Sequence, residues 1–253
     1  MSRRVRLSSL LLSTVVAFSA CATPALTVAD LEMRLAESSR SDADKARDAG
    51  RKPAEVVAFL GITPGMTVLD VVAASGYYTE VLSIAVGPTG QVYAQNNEFV
   101  LKIRDGVNDK AMTARLAGSR LPNVKRADAD LSEISVSDGS VDVAITALNF
   151  HDFYNGRGEP AALDLLTSVY RKLKPGGVFG IIDHVGDPGQ DNETLHRIEK
   201  RRVLDVIAKT RFTLDAESDV LSNDMDDHTQ SVFAAGVRGK TDRFLLRLRK
   251  PRV

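Results

Sequence analysis

The stretch Val68-Leu69-Asp70-Val71-Val72-Ala73-Ala74-Ser75-Gly76-Tyr77 joins a short apolar run to a glycine and then to a segment of different period. The run Val68–Val72 is rich in β-branched residues and predicts a buried strand. Tyr77–Val86 predicts a helix, which ends at the turn residues Gly87-Pro88-Thr89-Gly90. A strand, a tight loop and a helix in this order predict the start of a parallel α/β sheet.

The same alternation continues along the chain. Six further strands are predicted over Gln91–Ala94, Val124–Ala127, Val141–Leu148, Val178–Ile182, Phe212–Leu214 and Arg243–Arg249. Helical segments are predicted between them over Glu98–Gly118, Ala162–Leu173 and Asn192–Lys209. Right-handed crossovers at this spacing predict an α/β fold with a Rossmann-like, doubly wound, mostly parallel sheet of seven strands.

The N-terminal residues predict an export signal. Arg3, Arg4 and Arg6 precede the apolar stretch Ser8–Ala20, which is too short to span a bilayer but is typical of a secretory signal. We expect residues 1–21 to be this signal. Phe18-Ser19-Ala20-Cys21 also resembles a lipobox, so Cys21 is a candidate for lipidation, and the protein is expected in the periplasm or anchored in the cell envelope. The alternatives are a twin-arginine signal and a cytoplasmic protein.

Residues 22–52 are predicted to be a tether and a helical extension or lid. Residues 53–253 are predicted to form the domain that contains the sheet and the candidate site residues. Arg47, Asp48 and Arg51 of the extension are candidates for a lid over a ligand or for a solvated helix face. The chain has 33 basic and 33 acidic side chains, so its formal charge of +0 does not indicate a nucleic-acid partner. We expect the protein to contact a membrane only through its export signal or through a lipid attached to it.

The loop after the first strand excludes two phosphate-binding motifs. A dinucleotide fingerprint needs several glycines, and only Gly76 is present; a P-loop needs Gly-Lys-Ser/Thr, which is absent. Asp70 would repel phosphate, so the loop favours a ligand with a sulfonium, an ammonium and a ribose.

Several motifs together resemble the class I S-adenosylmethionine-dependent methyltransferases, and more narrowly the exported bacterial ones. The resemblance runs from Arg47 to Arg249 and rests on Gly61–Asp70, Gly76–Glu80, Asn149–Asp152, Leu173–Gly177 and Arg238–Asp242. It implies S-adenosylmethionine as the cofactor and a small molecule as the methyl acceptor. The cofactor-binding residues that it implies are Asp70, Ala74, Gly76, Tyr77, Asn96 (to the ribose), Asp130 (to the adenine amino group) and Asn149.

The candidate catalytic residues follow the fourth and fifth strands. His151 and Asp152 come after one strand and Asp183 and His184 after the next, so neighbouring strands would bring two imidazoles and two carboxylates together. A histidine held by an aspartate is suited to removing a proton near neutral pH, with His151 as the first choice. The alternatives are that these side chains cap helices or that they bind a divalent metal. We predict no metal ligands.

Two charged segments predict solvated surface. Arg197, Lys200, Arg201 and Arg202 are expected on a wet helix face, and Asp224–His228 in an acidic loop that matches no calcium motif. The sequence as a whole predicts an exported methyltransferase. The rival is a binding protein of the same fold without turnover, because Val72, Ala74 and Asn96 replace the glycines and the acidic residue that many relatives have.

Overall fold

The computed structural model describes residues 26–252, so the predicted export signal over residues 1–21, Cys21 included, lies outside the described residues. The helices are α1 (Val28–Glu37), α2 (Asp42–Arg51), α3 (Pro53–Leu60), α4 (Tyr77–Val86), α5 (Glu98–Leu116), α6 (Phe150–Arg157), α7 (Glu159–Lys172), α8 (Asn192–Leu195) and α9 (Lys200–Ile207). The strands are β1 (Thr67–Val71), β2 (Gln91–Gln95), β3 (Val124–Ala127), β4 (Val141–Ala147), β5 (Leu173–His184), β6 (Thr213–Ser218) and β7 (Arg243–Arg249). None of the helices within residues 26–252 combines the length and the apolar character needed to cross a membrane.

The seven strands form one sheet in the order β3-β2-β1-β4-β5-β7-β6. Strands β1 to β5 pair in parallel, and β7 runs antiparallel to both β5 and β6. The predicted Rossmann-like, mostly parallel seven-stranded sheet is therefore confirmed. The order reverses between β1 and β4, and ligands of such sheets bind beyond the carboxyl ends of the strands at that point.

Both faces of the sheet are covered, because successive residues of each central strand point to opposite sides. Leu69 and Val71 pack into the cluster beneath α6, α7 and α9. Val68 on the same strand packs into the other cluster, beneath α1, α3 and α4. The run Val68–Val71, which is apolar except at Asp70, is thus typical of a strand that is buried on both faces.

The turn predicted at Lys174–Gly177 interrupts the start of β5. Leu173 pairs with Val141, and the register then jumps so that Val178 pairs with Val143. Gly176 has a φ of 82°, a left-handed conformation that glycine adopts without strain. The regular part of β5 therefore begins at Val178, as the sequence predicts.

The helical extension packs against the amino end of α4. The last turn of α2 is so close to the β6–β7 loop that a Cβ at Gly50 would lie 2.5 Å from the carbonyl oxygen of Gly239. Tyr77 donates a hydrogen bond to Asp48 at 2.7 Å, and Asp48 also accepts two bonds from Arg40. Asp48 is therefore engaged in the fold and is not part of a solvated face.

The continuous helix predicted over Asn192–Lys209 is wrong. The chain forms α8 and α9 instead, and between them His196 takes a left-handed conformation with a φ of 55°. The break turns Arg197 into the interior, where it is 0% exposed and donates two hydrogen bonds of 2.9 Å to Asp226. The predictions that Arg197 and Asp226 are solvated are therefore also wrong, whereas Lys200, Arg201 and Arg202 are exposed as expected.

Candidate cofactor and acceptor site

The loop after β1 is held on both sides by amide side chains. From β2, Gln95 accepts a hydrogen bond from the backbone N–H of Val72, and Asn96 accepts one from the N–H of Ala74 at 2.8 Å. On the β4 side, Asn149 donates to the carbonyl oxygens of Val72 and Ala147. The loop is thereby fixed at the carboxyl end of the sheet.

The backbone of this loop has the conformation that glycines usually provide. Val72, Ala74 and Gly76 have φ values of 55°, 49° and 86°. The first two are non-glycine residues in a left-handed conformation, which costs free energy and concentrates at functional sites. At Gly76 a Cβ would lie 2.9 Å from the methyl carbon of Met112, so a larger residue would have to displace that side chain and take a strained left-handed conformation.

Asp70 lies buried near the end of β1, and no basic side chain within residues 26–252 forms an ion pair with it. Its carboxylate accepts a hydrogen bond of 2.6 Å from the hydroxyl of Thr79, and it is 3% exposed. Burial raises its pKa to about 7, although the bonds to Thr79 and the charges of Arg51 and Arg115 oppose this rise. A buried carboxylate without a counter-ion is stabilised by a cation that binds beside it.

The remaining predicted cofactor residues lie around this loop. Asn96 is fully buried and both accepts from and donates to the backbone of Ala74, so its amide supports the loop. Asp130 is exposed and accepts a hydrogen bond from Asn97 at 3.0 Å. Tyr77 is buried, and the guanidinium groups of Arg40, Arg47 and Arg51 lie within 5.3 Å of its ring centre.

His151 and Asp183 form a buried pair at the ends of β4 and β5. Nδ1 of His151 lies 2.8 Å from one oxygen of Asp183, and the other oxygen accepts the backbone N–H of His151 at 2.7 Å. Burial alone lowers the pKa of His151, but the charge and hydrogen bond of Asp183 outweigh it and raise this pKa overall. Burial raises the pKa of Asp183, but the charge and hydrogen bonds of His151 together with the charge of His184 outweigh this effect and lower the pKa overall.

This pairing assigns the tautomer of neutral His151. Because ionised Asp183 can only accept, Nδ1 carries the proton and Nε2 carries the free electron pair. Nε2 faces the side chain of Asp152, whose oxygen is 3.3 Å away. The arrangement is that of a general base oriented by a carboxylate.

His184 differs from His151 in its chemistry. Its Nδ1 lies 2.7 Å from the hydroxyl of Thr241, which also accepts a bond from Arg243. Burial first, and the charge of Arg243 among other groups, lower the pKa of His184 to about 3 in spite of Asp183. It therefore stays neutral at physiological pH, and the electron pair of His151 is the stronger base.

A residue that the sequence did not single out, His196, completes the histidine group. Its Nδ1 lies 3.5 Å from the same oxygen of Asp152 that approaches His151, and its ring contacts Phe233. The three ligand-type atoms of His151, Asp152 and His196 lie within 4.8 Å of one another, so they could hold a cation. Without a cation, protonated imidazoles of His151 and His196 that donate to Asp152 would explain the same distances.

The donor set fits S-adenosylmethionine. Asp70 supplies an acceptor for a cationic group, and the clamped loop Val72–Ser75 offers its backbone at the switch point of the sheet. Asn149 and Tyr77 border the loop, and His151 with Asp183 lies at the ends of the next two strands. Arg51, a lid candidate from the sequence, also borders the site, together with Thr79, Thr241 and Arg243, whose roles only the fold reveals.

Comparison with known proteins gives the family. Residues 69–181 match the family described as methyltransferase domain. The ubiquinone/menaquinone biosynthesis C-methyltransferase UbiE of Ectopseudomonas mendocina is 33% identical over 125 residues, which are 49% of this chain and 43% of that protein. The demethylmenaquinone methyltransferase of Staphylococcus aureus is 32% identical over 120 residues, 47% of this chain and 43% of its own length. The chain thus aligns with less than half the length of these relatives.

Solved structures share the fold over more of the chain. A SAM-dependent methyltransferase from Aquifex aeolicus superposes with a TM-score of 0.58 and 22% identity, covering 78% of this chain and 89% of that one. The [4+2]-cyclase SpnF superposes with a TM-score of 0.57 and 18% identity, covering 80% and 81%. The sheet order and the matched domain confirm the resemblance drawn from the motifs: the chain has the fold of the class I S-adenosylmethionine-dependent methyltransferases, with a match to a methyltransferase domain over residues 69–181, and the cofactor of these similar proteins is S-adenosylmethionine.

Proposed function

We propose that the protein transfers a methyl group from S-adenosylmethionine to a small-molecule acceptor that lies at the ends of β4 and β5. One observation carries this proposal: the buried Asp70, which has no ion-pair partner within residues 26–252, and the His151–Asp183 pair lie at the carboxyl ends of neighbouring strands of one sheet. A cation-binding loop and a general base on neighbouring strands are what this reaction needs.

S-adenosylmethionine, when bound, supplies a methyl group that its sulfonium already activates. The protein therefore contributes mainly alignment of the two reactants. Asp70 and the loop Val72–Ser75 would hold the cofactor. The electron pair of the acceptor would form the bond to the methyl carbon as the carbon–sulfur bond breaks and S-adenosylhomocysteine leaves, and His151 Nε2 would take the proton that the acceptor loses. Asp183 orients the ring and stabilises the imidazolium that results.

The names of the curated relatives guide the choice of acceptor. These names describe C-methylation in ubiquinone and menaquinone biosynthesis. A phenolic ring presents an acidic O–H to a base such as His151, so phenols and hydroquinones are the first acceptors to test. The assay is formation of S-adenosylhomocysteine with each acceptor, and it supports methyl transfer only if the methylated acceptor appears in equal amount.

A binding protein without turnover remains the second candidate function. The side chains of Val72 and Ala74 in left-handed positions, and the engagement of Asn96 with Ala74, favour it. Cofactor binding without any product across the acceptor panel would support this candidate.

Export is a further part of the proposal, and Arg3, Arg4, Arg6 and the apolar stretch Ser8–Ala20 support it. The mass and N-terminal sequence of the protein isolated from its cells test this point. Cleavage near Cys21 with an added lipid mass indicates an anchored protein, cleavage alone a soluble exported one, and an intact Met1 contradicts export.

The affinity for S-adenosylmethionine is expected to fall as the pH falls below 7. The folded pKa of Asp70 is raised to about 7, and the cationic cofactor prefers the ionised carboxylate. Protonation should therefore weaken binding about tenfold between pH 8 and pH 6, with a limiting slope of one decade per pH unit. Calorimetric titration at several pH values measures this, with Asp70→Asn as the comparison. An equal pH dependence in the variant would assign the effect to another group.

A further inference from the structure

Arg51 and Arg243 lie side by side where α2, α4 and β7 meet, and neither has a carboxylate partner within residues 26–252. Arg243 is 3% exposed and donates to the hydroxyl of Thr241 and to the carbonyl oxygen of Gly50, each at 2.9 Å. The guanidinium of Arg51 donates no hydrogen bond to any of those residues. Its central carbon lies 4.6 Å from the ring centre of Tyr77 and 5.9 Å from that of Tyr78.

These two cations are held in an unfavourable environment. Burial, and next the charge of Arg47, lower the pKa of Arg51 to about 10, and Arg243 contributes to the same effect. Burial also lowers the pKa of Arg243. Tyr77 and Tyr78 compensate only part of this cost through their ring faces, because a guanidinium removed from water needs acceptors for its hydrogen bonds.

The nearby carboxylates do not fill this need. Asp48 is bound by Arg40 and Tyr77, and Asp44 is bound by Arg47 and Arg115. Asp70 interacts electrostatically with Arg51 at a distance. It is itself a buried acidic group that no cation pairs with directly within residues 26–252. The junction thus has unpaired charges of both signs close together, and it is complementary to a ligand that carries a negative and a positive group.

We propose that Arg51 and Arg243 form a binding site for a carboxylate group of a ligand that enters between α2 and the amino end of β7. This inference rests on the proposed function. The planar guanidinium matches a carboxylate with two parallel hydrogen bonds, which makes arginine the suitable residue. The carboxylate belongs either to the amino-acid part of S-adenosylmethionine, whose ammonium then faces Asp70, or to the acceptor.

The first arm of the test uses the cofactor. The wild-type protein and the Arg51→Gln and Arg243→Gln variants are titrated with S-adenosylmethionine and with its decarboxylated form, which keeps the sulfonium and an ammonium. If the cofactor supplies the carboxylate, the wild type prefers the complete cofactor by about 10- to 100-fold, and each variant loses most of this preference. Lys52→Gln is the matched control, because it removes an exposed positive charge next to Arg51 and should keep the preference.

The second arm uses benzoate as a carboxylate probe, with and without saturating S-adenosylhomocysteine. Benzoate binding in the wild type and Lys52→Gln that disappears in Arg51→Gln and Arg243→Gln assigns the site to the acceptor. If neither arm shows a carboxylate effect that depends on these arginines, the inference is wrong. A wild type that binds no form of the cofactor contradicts the proposed function, and the benzoate arm without cofactor still decides this inference.

Thermal unfolding of the ligand-free variants separates binding from a structural role. Because the Arg51 guanidinium donates no hydrogen bond within residues 26–252, Arg51→Gln should unfold at the same or a higher temperature than the wild type. A structural arginine would lower the unfolding temperature when replaced, and its effect on ligands would not depend on the carboxylate. That pattern would overturn the inference.

Discussion

Replacing His151 by alanine is expected to lower the turnover of methyl transfer by about 10²- to 10⁴-fold, the usual contribution of a general base. The affinity for S-adenosylmethionine should change little, because Asp70 and the loop Val72–Ser75 contact a different part of the site. Turnover with a phenolic acceptor and calorimetry with the cofactor measure the two effects separately. Equal turnover of wild type and variant would remove His151 from the reaction.

The pH profile of the same reaction tests the role of Asp183. The base works in its neutral form, and Asp183 raises the pKa of His151, so activity should rise with pH through a value above the usual one for histidine. Asp183→Asn removes this interaction and should move the rise to lower pH while it lowers turnover. His228→Gln is the control, because it removes an imidazole from the β6–β7 loop and should change turnover by less than about tenfold. A profile that does not move in Asp183→Asn would contradict the pairing.

Replacing Arg197 by methionine is expected to lower the free energy of unfolding by about 3–5 kcal/mol, the usual cost of breaking a buried ion pair from one side. The variant leaves Asp226 buried with its negative charge, and it also removes donors to the carbonyl oxygens of Gln230 and Val185. Because Asp226 accepts the N–H of Asp242, the loop next to Thr241 and Arg243 should loosen with it. Chemical denaturation monitored by circular dichroism measures this loss.

Arg201→Met provides the matched control for that measurement. Arg201 is exposed and, within residues 26–252, pairs only with Asp205 one turn away on α9, so its loss should change stability by about 0.5 kcal/mol or less. In the double variant Arg197→Met/Asp226→Asn part of the lost stability should return. Equal effects of Arg197→Met and Arg201→Met would show that the buried pair contributes nothing to the fold.

The central sheet can be predicted from local sequence because its central strands are apolar at nearly every position. Val68–Val71 is apolar at every position but Asp70, and a strand that is buried on both faces needs this pattern. The break at His196 does not follow, because Arg197 reads as an ordinary surface cation. Its partner Asp226 lies 29 residues further along the chain, and only the tertiary fold brings them together.

The sequence predicted those residues of the candidate site that lie at the ends of predicted strands. His151 and Asp183 lie 32 residues apart in sequence and meet because β4 and β5 are parallel neighbours. The unpaired Arg51 depends on contacts that local patterns do not record, since its surroundings come from α2, α4 and β7. His196 was missed because it lay within an expected helix, where its ring could not reach Asp152.

Calorimetric titration of the purified protein with S-adenosylmethionine tests the central claim most directly, with Asp70→Asn measured beside it at pH 8. We expect micromolar binding by the wild type, about −8 kcal/mol, and binding at least about tenfold weaker in the variant. We also expect that the variant folds at least as stably as the wild type, because the folded protein raises the pKa of Asp70 and so loses stability as pH rises through about 7. Absence of binding, or equal affinity in both proteins, would contradict the assignment of the Asp70 loop as the cofactor site.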